Sequence, residues 1–195
     1  MSEYLDLRRA GKRTRKPRMP NGLSAQASDT TDDGGEVPSR TVSSPNVRVG
    51  RTHVGKGVFA RRRYQADTII GEIEGDVIHD AEYGSEYCLD IGDGSILEPA
   101  APFRYVNHSC QPNCEFDYFD LKTSESSAIC RRVFLISLVK IEPGTQLTID
   151  YNWPASAAIP CRCHAECCRG WIVRAEQLSI ARANARLRAQ TAWPG

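Results

Sequence analysis

Residues 161–170 read CRCHAECCRG, four cysteines within eight positions. Cys161 and Cys163, followed by either Cys167 or Cys168, have metal-ligand spacing, C-x-C-x3-C or C-x-C-x4-C. Cys167 and Cys168 are adjacent, so their side chains diverge and one ion does not take both. The stretch therefore offers three ligands, whereas a structural zinc takes four. The remaining cysteines are Cys88, Cys110, Cys114 and Cys130. Cys88 and Cys130 fall inside apolar, strand-like runs, where a free cysteine acts as a small core residue. Cys110 and Cys114 lie in RYVNHSCQPNC, residues 104–114, a loop-like stretch of Asn, His, Ser and Pro. From spacing alone, either could complete the site; the competing reading is a set of buried free thiols.

The rest of the chain narrows the class. Its 195 residues suit one ordinary domain and a tail, with little room for a second core. No apolar run approaches membrane-spanning length, and MSEYLDLRR lacks the charged-then-apolar pattern of a secretory signal. Crowded cysteines in a chain without that signal indicate a reducing, intracellular compartment. The formal net charge of +1 hides an uneven distribution. Arg8, Arg9, Lys12, Arg13, Arg15, Lys16 and Arg18 crowd the first twenty positions, and Asp29, Asp32, Asp33 and Glu36 follow. The expected state of 1–46 is a disordered tail and linker; its basic run can add salt-sensitive contact with nucleic acid or an acidic surface.

Order is expected to begin near Val47. NVRVGRTHVGKGVFA alternates apolar and polar residues around glycines, the pattern of short strands joined by tight turns. DTIIGEIEGDVI reads as another strand pair, and Asp93-Gly94 as a hairpin turn between two apolar runs. AICRRVFLISLVKI is a long β-rich run, and Pro143-Gly144 is a turn leading into a further strand. Arg174–Gln190, with Leu178, Ala181 and Leu187 among arginines, reads as a terminal amphipathic helix. The expected domain is mostly β, built from short strands over about 47–173.

Five of these stretches together resemble one family. RYVNHSC at 104–110 is similar to the R-x-x-N-H-S-C signature of SET-domain lysine methyltransferases. GTQLTIDY at 144–151 resembles their second signature, GKGVFA at 55–60 their opening G-x-G turn, and IIGEIEGDVI the strand pair after it. CRCHAECCRG resembles their cysteine-rich post-SET segment. The resemblance implies a fold of small curled sheets with a knot-like C-terminal threading. It divides the chain into a tail at 1–46, a SET domain at 47–155, a post-SET zinc segment at 156–173, and a C-terminal helix and tail at 174–195. It also implies one structural zinc on Cys110, Cys161, Cys163 and Cys168, leaving Cys114 and Cys167 free.

The activity implied is methyl transfer from S-adenosylmethionine to a lysine side chain of a protein or peptide, histone-like tails being the leading substrate class. No membrane is involved. Tyr151 is expected at the transfer centre, and Tyr87 is expected to line both the cofactor and the lysine pockets. Lys56, Gly57, Arg104, Asn107 and His108 are the remaining candidates for cofactor contact. His108 is expected to act through hydrogen bonds and not as a general base. Ile149 departs from the family pattern, which has Phe or Tyr there, and leaves the degree of methylation open. The cellular location implied is cytoplasmic for a bacterial protein and nuclear or chromatin-associated for a eukaryotic one. The alternative is a non-catalytic, zinc-stabilised interaction module of the same fold. A nucleic-acid-binding protein would rest on residues 8–18 alone.

Overall fold

The computed structural model describes residues 46–80, 83–92, 94–122 and 129–191. The tail and its basic run lie outside the described residues, apart from Asn46, as does Asp93. In chain order the strands are β1 Val47–Thr52, β2 Gly55–Ala60, β3 Ile69–Ile73, β4 Gly75–Ile78, β5 Leu89–Gly92 and β6 Ser95–Pro99. They continue as β7 Asn107–His108, β8 Cys114–Lys122, β9 Ile129–Ser137, β10 Gln146–Ile149, β11 Ile159–Pro160 and β12 Trp171–Ile172. One α-helix among the described residues, α1 Leu178–Thr191, closes the order.

The glycine-rich opening forms a hairpin as its alternation predicts. β1 and β2 pair antiparallel from Val47↔Ala60 to Thr52↔Gly55. Thr52 Oγ1 stabilises the turn, donating to the Gly55 carbonyl at 3.1 Å and accepting from the Val54 N–H at 3.2 Å. Gly55 has φ +106°, a backbone state that side chains resist. Gly57 meets a different demand: a Cβ there would lie 2.6 Å from Thr52 Cγ2 and 2.9 Å from Gln146 Nε2. Its bare backbone lets β2 approach β10 and the Asn107 side chain closely.

Four small sheets result among the described residues. The site is built on the one ordered β1-β2-β10-β7. In it the late strand β10 lies between β2 and β7, antiparallel to the first and parallel to the second (Thr148↔Asn107, Ile149↔His108). The two signature stretches, forty residues apart in the chain, thus become immediate neighbours. The remaining sheets are β3-β9-β8, β4-β6-β5 and the short pair β11-β12. Asn113 stitches sheets together, its Nδ2 donating to the Gln146 carbonyl at 2.7 Å and its Oδ1 accepting from the Thr148 N–H at 2.9 Å. Val58, Tyr64, Leu135, Ile141 and Leu147, all nearly sealed from solvent, centre the apolar core. Tyr151 and Trp153 pack against its edge.

The C-terminal helix differs from its sequence reading. Residues 175–177 form a 3-10 turn and the α-helix starts only at Leu178. Leu178 and Ala181 pack with Ala155 and Val173, but Leu187 is 60% exposed. The helix docks by its first turns, where the Ala155 N–H also donates to Gln177 Oε1 at 2.8 Å. Its distal turns, which carry Leu187, extend beyond that apolar cluster.

Candidate active site and thiol cluster

Tyr151 follows β10 by two residues and is held from three sides. Its hydroxyl donates to the Val106 carbonyl at 2.9 Å, and its N–H donates to His108 Nδ1 at 3.2 Å. Its ring packs beside those of His108 and Trp153, with centroids 5.4 and 5.5 Å away. Burial, and after it the neighbouring Tyr87, pushes the phenol above the ordinary tyrosine range, so it stays protonated.

Beside Tyr151 opens a cleft of about 530 Å³. That lies within the roughly 300–1,000 Å³ of small-molecule sites. Tyr87, Tyr151 and Trp153 give it an aromatic wall, Asn107 and Gln146 supply amides, and Cys161–Cys163 also line it. Its rim includes His53, whose Nε2 lies 2.6 Å from the Arg162 carbonyl and whose ring stacks on His164 at 4.5 Å. Two narrow pockets, of about 20 and 70 Å³, also border Tyr151. Apolar Leu89, Phe116 and Ile149 line both, and Phe103 and Val106 line the smaller. Tyr151 borders all three spaces, and Tyr87 borders the cleft and the smaller pocket.

The candidate residues therefore fall into two groups. Tyr87, Asn107, His108 and Tyr151 line the cleft. Lys56, Gly57 and Arg104 are not among its lining residues. The Lys56 carbonyl accepts from Asn107 Nδ2 at 2.9 Å, and its ammonium lies over the Tyr105 ring at 4.8 Å. Gly57 contributes the close approach described above. Arg104 braces the narrow pocket, its guanidinium over the Tyr87 ring at 4.4 Å. Sequence reading missed His53, Gln146 and Trp153. Trp153 had a usable signal, an aromatic two residues beyond Tyr151; His53 had none, since its partner carbonyl is 109 positions away.

The cysteines converge beside the cleft. Ligand atoms of His108, Cys110, Cys161 and Cys163 all lie within 4.8 Å of one another. Cys110 and Cys161 Sγ are 3.8 Å apart, the edge of a tetrahedron with Zn–S bonds of about 2.3 Å. Cys168 stands outside that mutual set but acts on it, its thiol raising that of Cys161 and lowering that of Cys163. Cys167 is exposed, and Cys114 is fully buried in the core. The donor set fits a soft, thiolate-binding divalent ion such as zinc. Burial raises the Cys161 thiol, whereas at Cys163 burial is outweighed by hydrogen bonds from the Cys110 and Ala165 N–H groups, bringing it to about 6.

His108 ties this cluster to Tyr151. With Nδ1 accepting from the Tyr151 N–H, the ring proton sits on Nε2, 3.3 Å from Cys110 Sγ. Burial first, opposed by Asp150 and reinforced by Arg169, lowers its pKa to about 4. A neutral imidazole with both nitrogens engaged has no lone pair free for general-base work. Arg169 makes a parallel tie: its N–H donates to Cys110 Sγ at 3.4 Å and its guanidinium pairs with Asp150 at 2.8 Å.

A mostly-β domain with a cofactor-sized cleft bordered by a thiol cluster is the class that fold and site define. Residues 55–152 match the SET domain model, and the chain belongs to that family. It is 31% identical over 135 residues to histone-lysine N-methyltransferase ash1 of Drosophila melanogaster, covering 60% of this chain and 6% of the relative. To histone-lysine N-methyltransferase mes-4 of Caenorhabditis elegans it is 29% identical, covering 63% of this chain and 16% of the relative. The chain thus spans only a small part of these curated relatives. Among solved structures, KRYPTONITE in complex with mCHH DNA, an H3(1-15) peptide and SAH superposes with a TM-score of 0.56 at 26% identity. That match covers 65% of this chain and 29% of the other.

Proposed function

We propose that this chain is a protein-lysine N-methyltransferase, with S-adenosylmethionine in the 530 Å³ cleft and a lysine side chain in the narrow pockets beyond Tyr151. The observation that carries the reading is the place of Tyr151, whose ring borders both spaces. Bound in the cleft, S-adenosylmethionine would supply an electrophilic methyl group on a sulfonium. Aromatic Tyr87 and Trp153 and the amides of Asn107 and Gln146 would hold it, and the Cys161–Cys163 segment would cover it. Leu89, Phe116 and Ile149 would sheathe the lysine stem and strip water from its amine. That lowers an amine pKa from an ordinary value near ~10.4 toward the neutral, nucleophilic form. The Tyr151 oxygen and the Val106 carbonyl, 2.9 Å apart, are acceptors that would take the amine N–H groups and aim its lone pair at the cleft.

One zinc on Cys110, Cys161, Cys163 and Cys168 is part of the same reading, with His108 supporting the Cys110 sulfur from outside. Zinc there holds the cleft roof and takes no chemical part. The substrate class proposed is histone or histone-like tails, supported by the relatives' names, and the location proposed is chromatin in a eukaryotic source.

The test is transfer of labelled methyl groups to core histones by wild type and Tyr151→Phe, with calorimetric cofactor affinity measured alongside. Loss of one hydroxyl should slow transfer by about 10²-fold through lost orientation, while cofactor affinity changes little. A near-normal rate in the variant would remove Tyr151 from the mechanism. A wild type that binds no cofactor would favour an interaction module.

A further inference from the structure

Tyr87 lies in the irregular stretch 83–88 that leads into β5, outside any strand, and is 38% exposed. Something must fix a half-exposed ring at the junction of cleft and channel. Several contacts do so, and they converge on a single carboxylate. Glu98 Oε2 accepts from Ser85 Oγ at 2.5 Å and from the Tyr83 hydroxyl at 3.4 Å. Ser85 Oγ in turn accepts from the Tyr87 N–H at 3.1 Å, which anchors the backbone. On the other side Glu98 Oε1 pairs with Arg104 Nη2 at 3.4 Å, and that guanidinium covers the Tyr87 ring at 4.4 Å. Tyr105 meets the same ring edge-on at 6.4 Å.

Glu98 thus reaches both ends of Tyr87, its N–H through Ser85 and its ring through Arg104. The placement is not one that packing alone favours. β4 sets Asp76 directly across from Glu98, and like charges in directly opposed positions weaken a sheet. Both partners of the Glu98–Arg104 pair are largely shielded, with side chains 16% and 24% exposed, which strengthens the pair beyond a surface ion pair.

We infer that Glu98 is a positioning residue for methyl transfer, setting the angle of Tyr87 across the junction through Ser85 and Arg104. This rests on the lysine-methyltransferase reading above. Glu98 itself touches neither the cleft nor the narrow pockets, so its effect must travel through Tyr87. Glu98→Gln keeps the side-chain shape and one acceptor but removes the charge that holds Arg104. Glu98→Asp keeps the charge.

Two measurements test the inference. In methylation kinetics, Glu98→Gln should lower kcat by about 10-fold, an orientation effect, with KM for peptide nearly unchanged. In a Tyr87→Ala background the same change should cost less than about 2-fold, because the two residues act as one unit. In NMR spectra with labelled tyrosine, the Tyr87 ring signal, assigned through Tyr87→Phe, should move in Glu98→Gln and return toward wild type in Glu98→Asp. Losses that multiply independently in the double variant, or an unmoved Tyr87 signal, would overturn the inference. A wild type without methyl transfer would defeat the proposed function, and the ring signal would still decide whether Glu98 sets Tyr87.

Discussion

Ile149 is buried at 6% exposure, two residues before Tyr151, and lines both narrow pockets. β10 sets it opposite His108 of β7, and in the proposed function these pockets take the lysine side chain. An aliphatic side chain there is smaller than a phenol and offers no hydroxyl to hold an amine or a water. With less bulk there than a phenol would bring, multiple transfer to one lysine is the expected outcome. Ile149→Tyr should restrict the product to the monomethyl form, while the first transfer slows by less than about 10-fold, the scale of one small group in an apolar pocket. Mass spectra of a histone-tail peptide over time check this. Monomethyl product alone from the wild type would show that space at this position does not set the outcome.

The cysteine segment, β11 to β12, is tied to the sheet by few and identifiable contacts. The Arg169 N–H reaches Cys110 Sγ, the Cys110 N–H reaches Cys163 Sγ, Arg169 pairs with Asp150, and His53 bonds the Arg162 carbonyl. Metal content should therefore discriminate among candidate ligands. Cys168→Ser is expected to lose zinc, and with it most cofactor affinity, because the roof at Cys161–Cys163 would come loose. Cys167→Ser should keep both, and His108→Gln should keep zinc with affinity lowered by about 10–100-fold, the usual cost of an outer-shell partner. Loss in His108→Gln with retention in Cys168→Ser would instead make the imidazole the fourth ligand. The pairing of Cys161 with Cys163 was legible because local chain geometry limits which neighbours come together. The turns at Gly94 and Gly144 and the strands beside them were legible for the same local reason. The cleft was not, since His53, Gln146 and Trp153 meet only when β10 slots between β2 and β7. The resemblance supplied what periodicity could not.

At the scale of the whole molecule, the sheets meet around Cys114. It opens β8 opposite Ser137, belongs to the central core, and is fully shielded from solvent. Sequence pattern offered it as a zinc ligand on equal terms with Cys110, because burial beside a strand end cannot be read from a loop-like stretch. In the folded chain, burial raises its thiol to about 12, only partly offset by a hydrogen bond from the Thr148 backbone. A thiol whose folded value lies above its unfolded one favours the native state fully below the unfolded value, near 9. That contribution falls as pH rises from there through about 12, because the unfolded chain ionises first. Three units correspond to on the order of 4 kcal/mol lost across the range. Burial raises Tyr64 and Tyr151 as well, so their losses add above the ordinary tyrosine range. Zinc-bound thiolates are already deprotonated and contribute little to this slope. Denaturant melts of the zinc-loaded protein from pH 8 to 11 should therefore show falling stability. Cys114→Ala should cost about 1 kcal/mol at pH 8 and then fall less steeply, so the two curves converge or cross before pH 11. Parallel curves would mean that the Cys114 thiol does not stay protonated at the junction of the sheets.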